Sequence, residues 1–183
     1  MGNKLKVMLS IICLVVLLAI PAIGGCAAKE KALSDLAIKV DWVEPVALIA
    51  KPYDAPKSIA GEYNTFHVIL SITNPNNFLV TVESIEAEVY AEGILMGTVH
   101  IDSPLYLPAG KGALARFPLT ANTRMMMLEL AVQRTMPVPD ALKTVLATWA
   151  AIQDGKAKFQ VKGGAQVKSE AVSRYQEFDL RWP

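Results

Sequence analysis

After residue 35 the chain alternates apolar and polar positions over most of its length. Leu36, Ile38, Val40 and Trp42 alternate with Ala37, Lys39 and Asp41, which predicts a half-buried strand. Lys51 to Gly61 holds Pro52 and Pro56 and reads as a loop. Phe66, Val68, Leu70 and Ile72 then mark a second strand. It is stopped by Asn74-Pro75-Asn76-Asn77, where proline cannot donate to a ladder and asparagine tolerates left-handed geometry. Phe78, Val80 and Val82 fall on even numbers, whereas Ile85, Ala87 and Val89 fall on odd ones. A change of phase within one run predicts a bulge or bend near Glu83-Ser84. Glu92-Gly93 predicts a hairpin turn into Ile94–Ile101, and short strands follow at Leu105–Leu107 and Ala113–Leu119 around Pro108-Ala109-Gly110. Strand character returns at Phe159 and Val161, is expected to turn at Gly163-Gly164, and resumes through Tyr175, Phe178, Leu180 and Trp182.

The period changes between these strands. Met125 to Arg134 fits a helix capped by Asn122. Pro137 and Pro139 interrupt it. Leu142, Val145, Leu146, Trp149 and Gln153 then follow helical spacing, with Asp140 near the start and Gly155 just past the end. The reading is mainly β: a sandwich or barrel with one or two helices inserted before the last strands, the helical stripe lying on a sheet face or over an open end.

The start of the chain has a different character. Lys4 and Lys6 precede an apolar run, Val7 to Ile23, broken only by Ser10 and Pro21. A basic start, an apolar stretch and small residues before a cut site make a secretory signal peptide. Ile23-Gly24-Gly25-Cys26 resembles the bacterial lipobox. That resemblance implies removal of residues 1–25 and lipid on the Cys26 thiol. Residues 26–34 would form a short membrane tether and residues 35–183 the folded domain. The expected location is the cell envelope, on the outer membrane facing the periplasm if the host is Gram-negative.

Charge removes one class of partner. The whole chain carries 18 Lys and Arg against 17 Asp and Glu. Without Lys4 and Lys6 the balance is 16 − 17, or −1, so no basic surface calls for nucleic acid. The two cysteines are Cys13, lost with the leader, and Cys26, so no disulfide is expected in the domain. A hydrophobic fraction of 52% speaks against intrinsic disorder and leaves stability to core packing.

Leu70-Ser71-Ile72-Thr73-Asn74-Pro75-Asn76, then Val80, Val82, Ile85, Ala87, Val89 and Tyr90, then Gly93-Ile94-Leu95-Met96-Gly97 together resemble the late embryogenesis abundant type 2 family, or water stress and hypersensitive response domain. The family pattern falls on Asn74, Pro75, Asn76, Gly93 and Gly97. It is densest from Leu70 to Gly97 and collinear from Leu36 to about Trp182. Glu92 stands where the family often has Asn or Asp. The resemblance implies an immunoglobulin-like or fibronectin-III-like sandwich. It also implies a non-enzymatic role in desiccation or other stress, in which proteins or membrane are protected by weak contacts.

Candidate chemistry is sparse. His67 and His100 lie on separate strands, and nothing in their spacing brings carboxylates to them. Glu83, Glu86, Glu88 and Glu92 form an acidic stripe that solvation explains. No nucleophile elbow, zinc pattern or phosphate loop occurs, so no catalytic residue, metal or cofactor is assigned. Met125-Met126-Met127 has two readings: core packing, or an adaptable apolar contact with unfolding clients. Asn74-Pro75-Asn76 reads as a register-fixing turn. A monomer is expected, with the membrane reached through Cys26. The rival reading is an envelope-assembly or adhesion lipoprotein whose sandwich docks one specific envelope protein.

Overall fold

A computed structural model describes residues 36–47, 63–170 and 172–183. The leader, Cys26, the 26–34 tether and the Lys51–Gly61 loop lie outside the described residues. Among the described residues, eight strands form two antiparallel sheets. In one, β1 (Ala37–Ala47), β2 (Tyr63–Thr73) and β6 (Gly112–Asn122) run in the order β1-β2-β6. In the other, β3 (Val80–Ala91), β4 (Ile94–Ile101), β7 (Phe159–Lys168) and β8 (Ser173–Trp182) run in the order β4-β3-β7-β8, with β5 (Leu105–Leu107) also on β3. Two helices, α1 (Thr123–Gln133) and α2 (Val138–Gln153), connect β6 to β7. Of the sandwich and barrel that the alternation allows, the two sheets make the β-sandwich that the family resemblance implies.

Inward positions alternate along each strand and meet in one core, with Phe66, Val68, Leu70, Ile72, Phe117, Val89 and Val161 fully buried. β3 carries the predicted bulge. Its register on β7 shifts between Val82 and Ser84, so Glu83 is the extra residue, and its carboxylate pairs with Lys168 at 3.2 Å. The turn between β3 and β4 has positive φ at both Glu92 (51°) and Gly93 (75°), as a type I′ hairpin requires. Glutamate is held in this strained geometry from two sides. Its N–H donates to the Lys158 carbonyl and its carboxylate accepts from the Lys158 N–H. At Gly97, an added Cβ would stand 3.0 Å from Leu119 Cδ1, so the glycine lets β4 approach β6.

Three expectations need correction. Trp42 is not inward: β1 slips register at Asp41, Val43 takes the buried position, and Trp42 lies on the outside against Trp182, ring centres 5.6 Å apart. Gly163-Gly164 is not a turn, for β7 runs straight through it. A Cβ at Gly163 would overlap the Glu86 carbonyl and Ala87, and Gly164 lies under the Tyr175 ring, so close approach and not bending demands both glycines. The buried stripe of α2 is Ala141, Val145, Thr148, Trp149 and Ile152, while Leu142 and Leu146 are half-buried at its margin and Gln153 is exposed.

Candidate functional site

Asn122 ends β6 and caps α1. Its side chain accepts from the Met125 N–H at 3.1 Å, satisfying one of the free donors at the helix start. One face of α1 carries Thr123, Met126, Met127 and Leu130 into the core. Thr123 also accepts from the Trp149 indole at 3.1 Å, and that indole stacks on Phe66 with ring centres 5.9 Å apart. The helix is therefore locked to α2 and to β2. After α1, the Arg134 guanidinium donates to the Gly93 carbonyl and so joins this end of the sandwich to the β3–β4 turn.

The opposite face of α1 is also apolar. Met125 is 65% exposed, Leu128 40% and Val132 74%. Their i, i+3, i+7 spacing lines them up on one side of the helix. A surface helix ordinarily puts polar residues there. The methionine run is thus divided: Met126 and Met127 are core, which corrects their candidacy as contacts, and only Met125 faces solvent. Reading the sequence for methionine missed Leu128 and Val132, although the spacing from Met125 was the available signal.

Asn74, Pro75 and Asn76 lie at the other end of the sandwich. Asn74 is fully buried. Its amide donates to the carbonyls of Phe78, Leu107 and Pro108, and its oxygen accepts from the N–H and the amide of Asn76. The Asn74 N–H donates to the Lys111 carbonyl. These bonds tie the β2–β3 turn to the β5–β6 loop and engage both the amide and the oxygen of the Asn74 side chain.

His67 and His100 stand on different sheets. His67 is 3.5 Å from Glu44, which also pairs with Arg116, and His100 is 2.7 Å from the exposed Asp102. Among the described residues no three His, Cys, Asp or Glu side chains converge so as to hold a metal ion. The outward acidic stripe perturbs one group. Tyr90 bonds to the Glu88 carboxylate, and that bond, burial and the charges of Glu88 and Glu129 push its phenol up to about 12.

The sequence profile of the family described as late embryogenesis abundant protein matches residues 70–174, more than half of the chain. Comparison with curated proteins returns no match. Among solved structures, one from Arabidopsis thaliana is 12% identical, with a TM-score of 0.48, covering 79% of this chain and 78% of that one. A protein from Archaeoglobus fulgidus is 11% identical, with a TM-score of 0.42, covering 80% and 92%. A structure described as a late embryogenesis abundant protein is 14% identical, with a TM-score of 0.37, covering 97% and 88%. At these identities the assignment rests on the profile, whose span takes in the Asn74 turn, both family glycines, both helices and β7: the chain belongs to the late embryogenesis abundant family.

Proposed function

We propose that this desiccation-stress-type domain protects other proteins during water stress by weak, reversible apolar contact, without catalysis, while held at the cell envelope by lipid on Cys26. The observation that carries the reading is the outward stripe Met125, Leu128 and Val132 on α1. The fold already has its full use of α1 through Met126, Met127 and Leu130. Unbranched methionine adapts to varied apolar surfaces, and three side chains give low affinity and quick release. Position supports a protein client. Ala37 pairs with Thr73 at one end of β2, whereas Tyr63 pairs with Asn122 at the other, beside α1. The eleven residues of β2 put roughly 35 Å between the two ends. A lipid anchor preceding Leu36 would hold the stripe at the end away from the membrane.

The test is aggregation of an unrelated enzyme on heating or freeze–thaw, with no nucleotide added. The protein should protect at near-stoichiometric ratio and with weak salt dependence, because screening acts on charges. The variant Met125→Ser, Leu128→Ser, Val132→Ser should melt as the parent does and lose protection. Protection no better than an equal mass of albumin would reject the reading. The second reading, a docking module for one envelope partner, is favoured by the confinement of the stripe to a single helix, and would then take its place. Mass analysis of the mature N-terminus tests Cys26: an unmodified cysteine, or a different first residue, removes the anchor.

A further inference from the structure

The core is not filled everywhere. A cavity of about 190 Å³ lies between the two sheets, walled by Ile85 of β3, Ile101 of β4, Leu105 of β5 and Ala115 of β6. Its cause is on β6. The next two inward positions of that strand are Phe117 and Leu119, whereas alanine at 115 stops short of the facing sheet. β3 pairs with β5 up to Val82 and with β4 from Ile85 onward, and the Glu83 bulge and the turn through Asp102, Ser103 and Pro104 part the two. Half-buried Ser84 and exposed Ser103 stand at this gap and supply the hydroxyls of the lining. Beside it β4 packs on β6, with Leu119 Cδ1 3.0 Å from where a Cβ of Gly97 would stand, so this side of the sandwich is closed to an added strand.

Wall chemistry and size fix the class of occupant. The lining side chains are uncharged, and apart from the two serines they are aliphatic. A ligand with charges or several hydroxyls would bury polar groups without partners there, whereas an apolar one exchanges water for the walls. An apolar cavity of about 150 Å³ stays dry and takes one benzene ring, whereas drug-sized ligands need roughly 300–1,000 Å³. The space between β3 and β6 therefore suits one ring with a short substituent. We propose that this cavity binds a free small molecule made of one apolar ring, whose single polar substituent stays at the mouth beside Ser84 and Ser103. Such a ligand touches both sheets at once, so it binds the folded chain alone and stabilises it by mass action. The site uses none of Met125, Leu128 and Val132 and is independent of the protective reading.

The test uses the full-length protein with methyl-labelled isoleucine, leucine and alanine, and benzyl alcohol as the probe, with no client present. Benzyl alcohol should produce saturable shifts at Ile85, Ile101, Leu105 and Ala115 and leave Leu128 on α1 unmoved. It should also raise the melting temperature as its concentration rises. The control is para-xylylene glycol, the same ring with a second hydroxymethyl group opposite the first. One of its two hydroxyls must enter the apolar end, so it should bind roughly tenfold or more weakly. Ala115→Leu fills the space and should abolish both the shifts and the melting response. If that variant fails to fold, the smaller Ala115→Val serves the same purpose. Absence of saturable shifts overturns the proposal. So do shifts that include Leu128 equally, equal affinity for the two alcohols, or a parent-like response in a folded Ala115 variant. Saturation by octanoate but not by benzyl alcohol would also overturn it, and would assign the cavity to an acyl chain.

Discussion

The two helices sit side by side over one end of the sandwich, yet they use their surfaces differently. α2 buries Ala141, Val145, Thr148, Trp149 and Ile152 and turns Lys143, Ala147, Ala150 and Gln153 to solvent. That is the economy of a helix that only has to dock. α1 buries Thr123, Met126, Met127 and Leu130, then repeats the apolar pattern on its far side with Met125, Leu128 and Val132. The contrast separates what folding needs from what it does not. One apolar stripe is enough to hold a helix at this site, so the second stripe of α1 needs an explanation other than the core.

The contrast breaks most directly at Trp149. Its indole stacks on Phe66 and donates to Thr123, so Trp149→Ala should cost about 3–5 kcal/mol in a denaturant melt. A variant that melts like the parent would mean that α2 is not docked. Next comes the pair Met126→Ser and Met125→Ser. The first empties a buried position and should cost about 3 kcal/mol, whereas the second, on the exposed face, should change stability by less than about 0.5 kcal/mol while weakening client protection. Equal melting temperatures for the two would erase the division between faces. Asn122→Ala should cost about 1 kcal/mol, because α1 loses the acceptor for the Met125 N–H. α2 begins after Pro137, at Val138, with no side-chain cap and has no equivalent sensitivity.

The smallest effect reports whether α1 stays docked. The Tyr90 phenol is raised, first by its bond to Glu88, then by burial and the Glu88 charge, and last by Glu129 on α1. A tyrosine ordinarily ionises near pH ~10, so the unfolded chain loses this proton before the folded one. The associated stability is complete below about pH 10 and is lost as pH rises towards about 12. Tyr90→Phe should flatten that part of a stability–pH curve. Glu129→Gln should lower the phenolate midpoint slightly, read by ultraviolet absorbance, and no movement would place α1 away from β3.

The sequence made those features legible whose signal is carried by neighbours in the chain. The bulge at Glu83 showed itself because apolar residues change parity across it, from Val82 to Ile85. The Asn122 cap and the Glu92-Gly93 turn are local in the same way. What stayed hidden depends on residues far away in sequence. Adjacent glycines at 163 and 164 carry a turn signal, but Ala87 and Tyr175 are what require them. Trp42 looked inward because the slip at Asp41 is a single polar residue, and its partner is Trp182. The α1 stripe is periodic, yet period alone does not say which of two apolar faces meets the core. The cavity walled by Ile85, Ile101, Leu105 and Ala115 draws on four strands at once, β3 to β6, and no segment contains it.

The order of pairing also bears on how the chain reaches this structure. β1 with β2, β3 with β4, and β7 with β8 are hairpin partners that can form early and locally. Both sheets, however, are completed by distant returns: Leu70 of β2 finds Ala115 of β6, and Ala87 of β3 finds Gly163 of β7. Pairings of such separation must close long loops before any contact repays the lost entropy, which slows folding. The helices lie between β6 and β7, and α1 settles where β4, β6 and Trp149 of α2 receive it. Its inner methionines then become inaccessible, while Met125 is as open in the native molecule as in the nascent chain. A chain of this topology is slow to regain its structure once lost, so its persistence in the folded state depends on the height of the barrier to unfolding more than on rapid refolding.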